Sequence, residues 1–272
     1  MESSSSGAAD QRIKFENPPI NELVIALYHL PIVEMKSQHI GLYWNRIRDR
    51  YPRCEQQPII IVDASDTQPL SEVPGEIFPL PRFWFFSDAH PTLIQIQRNA
   101  FIFNWRRLAK NEYPHYETVV SDFWRELEDY KTFVQELGGR GLDVVRRCEL
   151  TYINIISPNE FFANPTQLMN VLPPIASFSD IQTDDRQLAG MNATATYLVN
   201  PTLRIDLAIK LGRRTDDTKA LVAILELKAH GVPSDLSLEG TRSWYGSAHN
   251  ATYKMFLDAT ARQVQERIWK PL

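Results

Sequence analysis

Cys148-Glu-Leu-Thr-Tyr-Ile-Asn-Ile-Ile-Ser-Pro158 echoes Asn21-Glu-Leu-Val-Ile-Ala-Leu-Tyr-His-Leu-Pro31, with Glu, Leu and the closing Pro in register. Both are β-branched and aliphatic runs stopped by proline, which is the signature of a strand. The elements downstream of the two runs are alike. After the first, Ser37 stands as an N-cap before Ile40, Tyr43, Trp44 and Ile47, which share one helical face until Tyr51-Pro52. Short strands are then expected at Ile59–Val62, Phe83–Phe86, Leu93–Gln97 and Phe101–Arg106, and a long helix at about Tyr116–Leu137, closed by Gly138-Gly139. After the second run come a short helix near Phe161–Val171 and strands near Phe178–Gln182, Thr194–Val199, Leu203–Leu211 and Leu221–Lys228. A final helix over roughly Ser243–Trp269 carries Tyr253, Phe256, Leu257, Thr260, Val264 and Ile268 on one stripe.

The repeated element order implies an α+β fold of two β-α-β4-α-like halves, 15–140 and 141–272, behind a polar, disordered tail at 1–14. Each half has the order of a TATA-binding-protein-like repeat, in which a curved antiparallel sheet carries its helices on one face. A single α+β domain without internal symmetry is the other reading.

Composition bounds the function. The 272 residues hold 29 Lys+Arg against 33 Asp+Glu, a formal charge of −4, so bulk charge does not favour a nucleic-acid partner. Glycine, at 11, is well under the roughly 19 of average usage, and no P-loop, dinucleotide fingerprint or G-x-S-x-G elbow is present. Cys54 and Cys148 form no C-x-x-C pair and are expected to be reduced and buried. The sequence shows no basic-then-apolar leader and no apolar run of membrane-spanning length, so a cytoplasmic location without a membrane partner is the expectation.

Six stretches carry a family resemblance: Asn17-Pro-Pro-Ile-Asn-Glu22, Gly41-Leu-Tyr-Trp44, Gln95-Ile-Gln-Arg-Asn-Ala-Phe-Ile-Phe-Asn-Trp-Arg106, Tyr113-Pro-His-Tyr-Glu117, Glu149-Leu-Thr-Tyr-Ile-Asn154 and His249-x-x-x-Tyr-x-x-Phe256. In these the chain resembles, from about Phe15 onward, a sporadically distributed prokaryotic family of uncharacterised proteins of about this length. The resemblance implies an accessory or defence-type role and supplies no catalytic residues.

Two constellations bear on chemistry. A hairpin turning at Arg98-Asn99 puts Gln95, Gln97, Asn104 and Arg106 on the sheet face opposite Ile94, Ile96, Phe101, Phe103 and Trp105. Amide and guanidinium groups there, with Arg204 in the second half, fit a protein or ligand partner, and nucleic acid less well. The second constellation is Asp206 followed by Glu226-Leu-Lys228, the spacing of PD-(D/E)xK nucleases, in which two carboxylates hold a divalent cation such as Mg²⁺ and the lysine orients water. A loop near Asp216-Asp217 puts Asp206 opposite Glu226 and Arg204 opposite Lys228. A solvated charge ladder on an exposed sheet face is the weightier reading of the same residues. Histidines fall in no metal-binding spacing, although His249 and Tyr253 lie one helical turn apart. The leading expectation is a non-catalytic binding protein without a cofactor. A metal-dependent nuclease is the first alternative, and nucleic-acid binding without catalysis is the second.

Overall fold

The computed structural model describes residues 13–61, 80–108, 112–181, 185, 188–214 and 218–272. Their backbone forms one antiparallel sheet of nine strands: β1 (Ile20–His29), β2 (Arg53–Gln57), β3 (Arg82–Phe86), β4 (Thr92–Gln97), β5 (Ala100–Arg106), β6 (Val145–Ile156), β7 (Asn192–Asn200), β8 (Leu203–Arg213) and β9 (Leu221–Gly231). The strands lie in the order β2-β3-β4-β5-β1-β6-β9-β8-β7. Counted outward from the central β1–β6 pair, one side reads β1-β5-β4-β3-β2 and the other β6-β9-β8-β7. Three helices, α1 (Ser37–Ile47), α2 (Tyr116–Glu136) and α3 (Leu238–Ala259), pack on one face, giving the expected α+β architecture.

Strand alternation builds the core on that face. Leu23, Ile25 and Leu27 of β1, Phe101, Phe103 and Trp105 of β5, and Cys148, Leu150 and Tyr152 of β6 all point at the helices and are buried. Tyr43 of α1 sets its ring edge-on to Phe85 (5.8 Å) and Tyr130 (5.4 Å). Tyr130 stacks on Phe101 at 5.2 Å. α3 crosses the centre of the sheet: Tyr245 meets Phe123 of α2 at 5.5 Å, and its hydroxyl donates to the Ala26 carbonyl at 2.7 Å. Gly138, at φ 79°, ends α2 as expected.

Several sequence expectations are corrected. Ser37 is the first residue of α1; Lys36 is its cap, with its backbone N–H donating to His39 Nδ1 at 3.2 Å. The strand after α1 is Arg53–Gln57, and residues 59–61 are not strand. The Arg98-Asn99 turn is present, but Asn99 is not among the described residues with positive φ. Pro165–Asn170 and Pro173–Ile181 form 3₁₀ turns where a short helix and a strand were expected, each opened by a proline that presets φ and withholds an N–H from any ladder. The last helix stops at Ala259, because Gln265 Nε2 turns back to the Leu257 and Thr260 carbonyls and the Thr260 hydroxyl (2.9, 3.1 and 2.9 Å) and satisfies its C-terminal end. Its buried face includes Trp244, Tyr245, Ala248, His249 and Thr252, ahead of the expected stripe. Cys148 is buried, but Cys54 is exposed on β2. Of the expected tail, residues 1–12 lie outside the described residues, as do Val62, Gln182 and Asp216-Asp217. Ile13 and Lys14 are held instead: Ile13 N–H donates to the Tyr253 hydroxyl at 2.9 Å, and the Lys14 carbonyl accepts from Leu272 at 2.8 Å. No helix among the described residues is long and apolar enough to cross a membrane.

Candidate functional site: an aromatic cleft behind the central strands

The sheet face turned away from the helices carries every expected site residue, in two very different settings. Under β3, β4, β5 and β1 the polar groups are interior. Gln95, Gln97 and Asn104 are 5%, 1% and 4% exposed, so they do not form the open recognition surface expected of them. They bond to one another and their neighbours in a line. Arg82 donates to Gln95 Oε1 at 2.7 Å, Gln95 Nε2 to Asn104 Oδ1 at 2.7 Å, and Asn104 Nδ2 to Glu22 Oε1 at 2.6 Å. Burial raises the Glu22 pKa above its usual range, against the pull of the Asn104 amide and Arg106. Gln97 clamps the chain beyond β2, accepting from Ile60 N–H at 2.7 Å and donating to its carbonyl at 3.0 Å. Ile60 thereby packs over Ala26, Tyr28, Ala100 and Ile102. Arg106 is half-buried with its guanidinium over the Phe86 ring at 5.4 Å.

Under β8 and β9 the same face is open. Arg204, Asp206, Glu226 and Lys228 share it as expected, but the register is offset by two residues: Asp206 pairs with Lys228, Arg204 with His230 and Ala208 with Glu226. An offset of two keeps every side chain on its face while changing its neighbour. The observed register replaces a carboxylate–carboxylate pair with opposite charges. Asp206 Oδ2 lies 3.7 Å from Lys228 Nζ and 3.2 Å from His230 Nε2, and Oδ1 accepts from the Thr196 hydroxyl at 2.7 Å. Glu226 lies 3.5 Å from Lys210. Partial burial opposes ionisation of Asp206, and the Thr196 hydroxyl, His230 and Lys228 overcome it, leaving its pKa lowered. Among the described residues no group of three or more His, Cys, Asp or Glu is placed to hold a metal ion. For Asp206 and Glu226 to share a cation, both lysines would have to give up their partners.

A third place is almost invisible in the sequence. On the helix side, a cleft of about 120 Å³ opens between the start of β1, the end of β6, the N-terminus of α2 and the middle of α3. His249, Thr252, Tyr253 and Phe256 reach it from successive turns of α3. Tyr152 and Asn154, two apart on β6, reach it from the sheet. Tyr113, His115 and Tyr116 close it from the entry to α2, where His115 takes a φ of 68°, uncommon for a side chain of this size. Tyr116 lies flat on the His249 ring, 3.9 Å between centroids and 11° apart in plane. The Tyr152 hydroxyl is 2.8 Å from His249 Nδ1. Burial pushes the phenols of Tyr113 and Tyr152 up, so both stay neutral hydrogen-bonding groups at physiological pH. Asn154 donates to the Leu225 carbonyl at 3.1 Å and stiffens the floor.

Sequence spacing singles out only His249 and Tyr253 here. More of the lining comes from the six stretches quoted above. Four of them, around Pro18-Pro19, Tyr113–Glu117, Tyr152–Asn154 and His249–Phe256, lie far apart in the chain and meet at this cleft. Comparisons with family models, with curated proteins and with solved structures return no match for this chain.

Proposed function

We propose that this chain is a non-catalytic binding protein whose ligand enters the cleft between β1, β6, α2 and α3. The ligand is a small molecule of about one ring, apolar over most of its surface and carrying one hydrogen-bonding group. The observation that carries this reading is the lining itself. Tyr113, Tyr116, Tyr152, Tyr253 and Phe256 wall a space of about 120 Å³, with the paired Tyr152 hydroxyl and His249 ring among them. Apolar walls with a few placed polar groups are the usual composition of a small-molecule site, and a cavity of this order accepts a single aromatic ring. The expected amide row supports this reading less well, since Gln95, Gln97 and Asn104 are buried.

The test uses toluene and phenol as probes, with binding read by isothermal titration calorimetry and by chemical-shift changes at the cleft. Both rings bind the wild type. Tyr152→Phe weakens phenol by about 3- to 10-fold, the size of one lost hydrogen bond, and leaves toluene unchanged. If neither probe perturbs the cleft, the ligand reading fails. If both bind equally in wild type and Tyr152→Phe, the assigned role of the hydroxyl fails.

A further inference from the structure

The two edges of the sheet differ sharply. β2 is short, comes directly after Pro52 and carries Arg53 and Glu55, with Arg53 ion-paired to Asp88 at 2.8 Å. Such features keep an edge from pairing. β7, Asn192-Ala-Thr-Ala-Thr-Tyr-Leu-Val-Asn200, has none of them. It contains no charge and no proline, and Thr194 through Asn200 are all exposed, with Tyr197 at 47% and Leu198 at 68% on opposite faces.

We propose that β7 pairs antiparallel with β7 of a second copy of this chain, about a two-fold axis at Ala195, joining the two sheets into one. The strand fits itself. Its register with β8 shifts between Leu198 and Asn200, so the regular stretch is Asn192–Leu198 and Ala195 is its centre. Pairing about that centre sets Thr194 against the second copy's Thr196, Ala193 against its Tyr197 and Asn192 against its Leu198, each twice by symmetry. Small faces large beneath, threonine faces threonine above, and no charge meets a like charge. The Thr196 hydroxyl already donates to Asp206, so its oxygen accepts from the second copy's Thr194. Without charge on β7, a charged partner segment finds nothing to pair with, whereas a second copy sets alanine under tyrosine on one face and threonine against threonine on the other.

Sedimentation equilibrium of the full chain, across roughly a hundred-fold range of concentration, tests this. The wild type forms a dimer. Ala195→Lys sets like charges against each other on the axis and weakens the dimer at least about 10-fold, while its thermal unfolding stays that of the monomeric fold because Ala195 is exposed. The register is read from a pair of double variants: Ala193→Glu with Tyr197→Lys dimerises, and Ala193→Lys with Tyr197→Lys does not. A wild type that stays monomeric, or a dimer indifferent to Ala195→Lys, overturns the proposal. Equal behaviour of the two double variants overturns the Ala195 axis.

Discussion

His29 closes β1 with its ring fully buried, its Nδ1–H donating to the Leu30 carbonyl at 2.8 Å and its Nε2 without a hydrogen-bond partner among the described residues. Burial pushes its pKa from 6.5 down to about 4, outweighing the Leu30 bond. Above pH 6.5 the ring is mostly neutral folded or unfolded, and its titration takes nothing from stability. As pH falls from 6.5 toward 4, the unfolded chain takes up a proton that the folded chain refuses, so stability is lost across that window, by about 3 kcal/mol at its end. His29→Gln is expected to remove most of this acid sensitivity; urea unfolding of both proteins at the two ends of the window measures it. The buried amide line makes a second prediction. Asn104→Ala leaves Gln95 Nε2 and Glu22 Oε1 unpartnered and is expected to cost about 2–3 kcal/mol. Glu22→Gln keeps an acceptor and removes a carboxylate whose ionisation burial disfavours, so it costs under about 1 kcal/mol. Equal losses in urea titration would show that the line is not a chain of dependent bonds.

Strands and helices are legible in the sequence wherever periodicity is long. The alternation of Ile94, Ile96, Phe101, Phe103 and Trp105 marks the helix-side face of β4 and β5 correctly, because a period of two survives any even register offset. It does not specify the partner. Asp206 faces Lys228 instead of Glu226, and nothing in the strands themselves distinguishes two registers that differ by an even number of positions. The amides fail differently: polar residues alternating with apolar ones signify an open face only if no other segment folds over it, and Gln97 binds the chain at Ile60. Gly231 marks a close approach of β9 to the turn between β7 and β8. A Cβ there would collide with the backbone of Thr202 in the turn between β7 and β8. Gly231→Ala is therefore expected to destabilise by more than about 2 kcal/mol and to disturb that turn first, seen as faster amide exchange at Thr202 and Leu203 than elsewhere in the sheet.

At the scale of the whole molecule, the β1–β6 pair makes the sheet continuous, and the larger core draws on both sides of it. Leu203, Ile205, Ala229, Trp244 and Tyr245 pack in one cluster with Leu23, Phe101, Phe123 and Tyr130. A core shared in this way predicts one cooperative unfolding transition, with far-ultraviolet circular dichroism and tryptophan fluorescence melting together; two separated transitions would mean that the halves are independent.

The α+β class, most strand faces and the long α2 with its glycine stop came from sequence alone, since each depends on local periodicity and capping. Tertiary structure decided the register of β8 on β9, the closure of the amide row, the place of β7 at the edge of the sheet and the cleft. Each of these is set by which distant segment arrives beside which. Tyr116 and His249 stack at 3.9 Å across more than a hundred residues of chain, and no period within a strand or helix encodes that meeting.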